Sequence, residues 1–141
     1  MEIRRADEQA FSIPFTQKNI PRARTAAMSL ARAQGMSPER VIDLALVVNE
    51  AMVNAVAHGG GRGRLRVWCR RGALHCEIED QGPGIPARRL DRTDPPPPSS
   101  LGGWGIWLIR RLADKVALTT GPDGTAVHIA MDLSAREGAV P

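Results

Sequence analysis

Apolar residues recur at Val41, Leu44, Ala45, Val48, Met52, Ala55 and Val56, three and four apart, through a stretch with no internal glycine or proline after Pro38. That spacing predicts a helix running to about His58 with one apolar stripe. Ser37 followed by Pro38 suits an N-cap and a first-turn proline. Gly59-Gly60-Gly61-Arg62-Gly63 ends the helix in a flexible loop. The stripe must be laid against a partner, and the next residues supply one. Leu65, Val67 and Cys69 alternate with Arg64, Arg66, Trp68 and Arg70. Beyond Arg71-Gly72, Leu74, Cys76 and Ile78 alternate with His75, Glu77 and Glu79. Period two on both sides of a turn predicts an antiparallel hairpin with one apolar face.

The flanking sequence completes the pattern. Phe11 and Ile13 suggest a short strand ended by Pro14. Ile20, Ala23, Ala27, Leu30 and Ala31 have helical spacing, with Gly35 as a stop. Pro95-Pro96-Pro97-Pro98 reads as a stiff, extended surface loop. A third helix is expected from about Gly105 to Ala113, then strands at 116–120 and 125–133 joined by Gly121-Pro122-Asp123-Gly124. The order strand, helix, helix, strand, strand, loop, helix, strand, strand predicts an α+β fold. The expected form is a two-layer sandwich, with helices on one face of a mixed, mostly antiparallel sheet. The 141 residues fit one domain at 10–133, between a loose N-terminus at 1–9 and a disordered tail at 134–141.

Composition narrows the functional classes. The net charge is +4, and all but two of the 19 basic residues are arginine. The arginines are scattered in pairs, and there is no tyrosine to make a base-stacking platform among them. Nucleic-acid binding is therefore disfavoured, and an acidic protein partner accounts for the charge equally well. Cys69 and Cys76 have neither metal-ligand nor redox spacing and flank the hairpin turn, where they could face one another. No signal peptide, transmembrane run or lipidation motif is evident, so a cytoplasmic protein with reduced thiols is expected.

Four features have chemical potential. Glu50, Asn54 and His58 lie four apart and share one helical face. A carboxylate can take a proton, and an amide oxygen can ligate magnesium. The same face would equally serve as a solvated polar stripe. Asp80, in Asp80-Gln81-Gly82-Pro83-Gly84-Ile85, has the parity of Leu74, Cys76 and Ile78, so it points to the core face and needs a partner. A ligand amino group such as that of adenine is one; a turn that the aspartate caps is another. Gly82 and Gly84 let a backbone approach a ligand closely. Gly102-Gly103-Trp104-Gly105 runs into a helix N-terminus, where backbone N–H groups can meet phosphate oxygens, though many loops carry such glycines. It is neither a P-loop nor a dinucleotide fingerprint. Thr125, at a strand start, can bond a base or satisfy its turn.

In their joint order these motifs resemble the GHKL ATPase superfamily, whose ATP-binding unit is the Bergerat fold. The resemblance covers about residues 10–133. Within it, Val48-Asn49-Glu50-Ala51-Met52-Val53-Asn54-Ala55-Val56-Ala57-His58-Gly59 and Gly103-Trp104-Gly105-Ile106-Trp107-Leu108-Ile109 look most like the anti-sigma-factor serine kinases. The resemblance implies that Asn54 ligates Mg2+ between the ATP phosphates and that Glu50 is the general base on a serine or threonine of a partner. Asp80 would read the adenine amine with help from Thr125, and Gly82 and Gly84 would line the adenine pocket. Gly103 and Gly105 would lend N–H groups to the phosphates, with Gly102 loosening the lid. The implied partners are a STAS-type anti-sigma-factor antagonist and a sigma factor, with Arg24 at the partner surface, and a homodimer is a familiar state. The implied activity is phosphorylation of the antagonist and sequestration of the sigma factor. The alternatives are an ATP-binding module that acts by capture alone and a histidine-kinase-like catalytic domain, which would call for an upstream phosphoacceptor helix. This chain departs from the family pattern at Leu101, where such kinases often carry a basic residue near the γ-phosphate. Arg88, Arg89 and Arg92 are candidate substitutes.

Overall fold

The computed structural model describes residues 10–85 and 104–134, and for Trp104 the backbone alone. Among the described residues, five strands and three α-helices follow the expected order: β1 (Phe11–Thr16), α1 (Ile20–Ala33), α2 (Pro38–His58), β2 (Arg62–Arg70), β3 (Ala73–Asp80), α3 (Trp104–Leu112), β4 (Lys115–Gly121) and β5 (Gly124–Asp132). The strands form one sheet in the order β1-β2-β3-β5-β4. Each described pairing is antiparallel, the limiting case of the mostly antiparallel sheet expected.

Local chemistry sets the element ends. Ser37 Oγ accepts the Arg40 N–H at 3.3 Å, and Pro38 occupies the first helical turn of α2. Arg71 (φ 52°) and Gly72 (φ 77°) both take positive φ, which closes the β2–β3 hairpin with the handedness its strands require. Pro14 does not end β1. The strand continues through it to Thr16, because β1 is an edge strand in which a missing N–H costs no central ladder bond.

One face of the sheet carries the core. Leu65, Val67, Leu74, Cys76, Ile129 and Met131 are fully buried there, against Leu44, Val48 and Met52 of α2. Each such side chain contributes about 1.5–3 kcal/mol by leaving water. The helix α2 is long and apolar enough to cross a membrane, but here it packs between α1, α3 and the sheet. Cys69 and Cys76 are not direct cross-strand partners. Cys69 faces Leu74 and Cys76 faces Val67, and both are buried free thiols. Burial pushes the Cys76 thiol up to about 12, with Cys69 adding to the effect. Trp107 is half-buried, and Arg111 lies over its ring at 5.8 Å. On α3 it is Ile106 and Ile109 that are buried.

Arg40 closes the far end of the helical layer. Its guanidinium bonds Asp43 at 2.9 Å, the carbonyl of Leu112 at 3.2 Å and Asp114 at 3.0 Å. Asp114 also accepts the Asp132 N–H at 2.8 Å. The start of α2, the end of α3 and the end of β5 are thereby joined.

Candidate functional site

A pocket opens between α2, the C-terminal end of β3, the start of β5 and the N-terminal end of α3. Asn54 and His58 line it from α2, Asp80 and Gly84 from the end of β3 and the loop after it, and Thr125 from β5. Its floor is apolar, made by Ala51, Ile78, Ile106 and Val127. The register explains the convergence. Asp80 and Thr125 are direct partners on adjacent strands, so parity sends both side chains to the helical face of the sheet.

Asp80 is held closely. Its Oδ1 accepts the Gly82 N–H at 2.9 Å, an Asx turn that bends the chain after β3. Its carboxyl group also lies against Gly59, where an added Cβ would stand 2.2 Å from Cγ and 2.5 Å from Oδ2. Gly82 is packed in turn on Gly59, and a Cβ on Gly82 would meet the Gly59 Cα at 2.3 Å. The end of α2 and the Asp80 loop thus meet backbone to backbone, which only glycine permits. Gly84 combines φ +96° with a would-be Cβ 2.6 Å from the Gly121 carbonyl.

A hydroxyl pair completes this corner. Thr120 Oγ1 and Thr125 Oγ1 are 2.8 Å apart, and Thr120 Oγ1 accepts the Ile85 N–H at 2.8 Å. Thr125 is buried. At the other end, α3 starts over Asn54: a Cβ on Gly105 would stand 2.6 Å from the Asn54 Nδ2. The amide side chain therefore lies at a helix N-terminus, where unpaired N–H groups favour anions.

Of the residues singled out from the sequence, Asn54, Asp80, Gly84 and Thr125 share this pocket, with Gly82 and Gly105 packed around them. Glu50 is half-buried one turn before Asn54 but is not among the lining residues. Gly102, Gly103, Leu101, the prolines 95–98 and Arg88, Arg89 and Arg92 lie outside the described residues. Arg24 donates to Asn49 Oδ1 at 2.6 Å, which ties α1 to α2 beside Glu50. Two contributors escaped the sequence reading. Thr120 shares the parity of Val116 and Leu118, which could have marked it. Gly59 belongs to the predicted flexible loop, though its place directly after the helix is a signal for close packing.

The arrangement suits a flat ring with an exocyclic amine and an anionic tail. The apolar floor lies between a carboxylate and a hydroxyl at one end and an amide and a helix N-terminus at the other. Among the described residues no group of three or more His, Cys, Asp or Glu side chains could hold a metal ion.

Fold and site together define a nucleotide-binding α+β sandwich. The histidine kinase-like ATPase domain pattern matches residues 13–131, and the chain belongs to that family, within the GHKL superfamily. ATP binding follows from membership. The chain is similar to an anti-sigma F factor of Bacillus licheniformis, 26% identical over 136 residues, covering 87% of this chain and 92% of the relative. Two solved structures share the fold. The RsbU and RsbW domains of a Mycobacterium tuberculosis protein match with TM-score 0.64 at 14% identity, covering 87% of this chain and 31% of that one. The histidine kinase domain of a blue-light activated histidine kinase from Erythrobacter litoralis matches with TM-score 0.56 at 23% identity, covering 84% and 68%.

Proposed function

We propose that this chain is a cytoplasmic ATP-dependent serine/threonine protein kinase that phosphorylates a STAS-type anti-sigma-factor antagonist and sequesters a sigma factor. The observation that carries this reading is the meeting of Asn54, Asp80, Gly84 and Thr125 in one pocket, in a chain that parallels an anti-sigma F factor along most of its length. Asp80 accepts a hydrogen bond from the adenine amine, and Thr125 supports it through its hydroxyl. Gly82 and Gly84 keep that end free of side chains. Gly105, with Gly102 and Gly103 before it, offers backbone N–H groups to the phosphates.

Asn54 would hold magnesium through its amide oxygen, and a metal there would supply charge neutralisation for the phosphates. Glu50 takes the proton of the partner's serine or threonine hydroxyl. The hydroxyl oxygen bonds to the γ-phosphorus, the bond to the β-phosphate oxygen breaks, and ADP leaves. Positioning and charge neutralisation supply most of the rate in such transfers. The test is transfer of labelled phosphate from ATP to a purified STAS-domain protein. Glu50→Ala is expected to abolish transfer while ATP binding persists; transfer at the normal rate would remove Glu50 as the base.

A second reading is favoured by one observation, Leu101 where related kinases often have a basic residue. On that reading the chain binds ATP and works by partner capture. Equilibrium binding of labelled ATP, run beside the transfer assay, separates the two: binding without transfer selects capture.

A further inference from the structure

The other face of the sheet is turned away from the helices and takes no part in the ATP pocket. Its described residues include Arg64, Arg66, Trp68, His75, Glu77 and His128. Trp68 on β2 and His75 on β3 are cross-strand partners, stacked with centroids 5.4 Å apart and 8° between their planes. His128 on β5 lies diagonally from His75, tilted against both rings at 5.5 Å from Trp68 and 5.2 Å from His75. His75 Nδ1 and His128 Nε2 are 3.0 Å apart. Two imidazole nitrogens at that separation can share a proton, or they can turn both lone pairs to one cation.

We propose that His75 Nδ1 and His128 Nε2 form a two-imidazole site for a late divalent transition metal, copper(II) above nickel(II), on the open face of the sheet. The separation selects the coordination geometry. Adjacent nitrogens on a square-planar or octahedral ion, with bonds of about 2.0–2.1 Å, lie about 2.9 Å apart, against about 3.4 Å on a tetrahedral ion. The observed 3.0 Å, also the length of a hydrogen bond between the two rings, lies nearer the first than the second. Both rings are half-buried, and the Trp68 stack fixes the plane of His75, so little ordering remains to be done on binding. Glu77, in register with His128, is engaged by Arg66 in an ion pair, so water fills the remaining positions. The positive charges of Arg70 and Lys115 act on His75 and weaken the binding of any cation there, which leaves the ions that bind imidazole most strongly.

The stack supplies the readout. A variant with Trp104→Phe and Trp107→Phe keeps Trp68 as its single tryptophan, and copper(II) at His75 quenches it. Titration with copper(II) in a non-chelating buffer is expected to give saturable quenching in the micromolar range, weaker with nickel(II), with zinc(II) a poor competitor. His75→Gln and His128→Gln, which retain size and polarity, are each expected to weaken binding at least tenfold while thermal unfolding stays cooperative. His58→Ala, which removes the remaining histidine, is expected to leave it unchanged. Absence of saturable quenching, equal quenching in either glutamine variant, or zinc(II) competing as well as copper(II) would overturn the assignment. Calorimetry on the Trp68→Phe chain repeats the test without the fluorophore.

Discussion

Replacing Gly59 by alanine tests whether the adenine end of the pocket is shaped by the absence of a side chain. Gly59 has φ −113°, a conformation alanine adopts freely, so the substitution acts through space alone. The new Cβ would stand 2.2 Å from the Asp80 Cγ, 2.5 Å from its Oδ2 and 2.6 Å from the Ala55 carbonyl oxygen. Asp80 can relieve the first two contacts only by swinging away, which breaks its 2.9 Å bond to the Gly82 N–H. A hydrogen bond to a charged group is worth about 1.5–3 kcal/mol, and overpacking of a close backbone contact costs about 1–3 kcal/mol. Together these give an expected destabilisation of about 2.5–6 kcal/mol, read as a lower urea midpoint with an unchanged slope. On the proposed role of Asp80, nucleotide affinity should fall on the order of 10- to 100-fold, since the displaced carboxylate would no longer meet the adenine amine. Asp80→Ala removes the atoms that Gly59→Ala would strike, so the double variant should be more stable than the sum of the single changes requires. Gly60→Ala is the control: nothing lies within 4 Å of its Cβ, so only its φ of +89° is penalised and affinity should hold. Additive effects of Gly59→Ala and Asp80→Ala, or unchanged affinity in Gly59→Ala, would refute the reasoning.

Two further outcomes follow from the titrating groups. Cys76 is buried, with its thiol pushed up to about 12, so iodoacetamide at mildly alkaline pH should leave it unmodified until denaturant is added; rapid labelling of the native protein would contradict its placement. The His75 imidazole is held below its ordinary value of 6.5 by partial burial first, then by His128 and the charges of Arg70 and Lys115, while a backbone bond at Arg70 opposes this. Near neutral pH both folded and unfolded chains carry the neutral ring. As pH falls through 6.5 the unfolded chain takes the proton first, so the His75 contribution to stability falls until the lowered folded value is passed. With chelator present, His75→Gln should flatten this part of the pH profile of the urea midpoint, and an unaltered profile would count against the shift.

Much of this was legible in the sequence because periodicity reports which face is buried. The α2 stripe and the two alternating runs of the hairpin define the sandwich, and the parity of Asp80 with Ile78 already directs its side chain inward. What periodicity does not carry is which strands are neighbours. The order β1-β2-β3-β5-β4 brings Thr125 beside Asp80 and His128 beside His75, and neither meeting is visible along the chain. Pro14 misled because its effect depends on being at an edge, a property of the sheet rather than of the residue.

Arg40 ties the C-terminal end of α3 to the start of α2, while the N-terminal end of the same helix stands over Asn54. The helix is therefore a lever with a fixed fulcrum at one end and the pocket at the other. Nine residues make it about 13 Å long, so a tilt of about 5° at the fulcrum carries the far end about 1 Å. A displacement of that size is on the scale that separates productive from unproductive placement of reacting groups. The Arg40 contacts at Asp114 and Leu112, on the side of the domain remote from where a nucleotide would sit, therefore help to set the position of the pocket end of the helix.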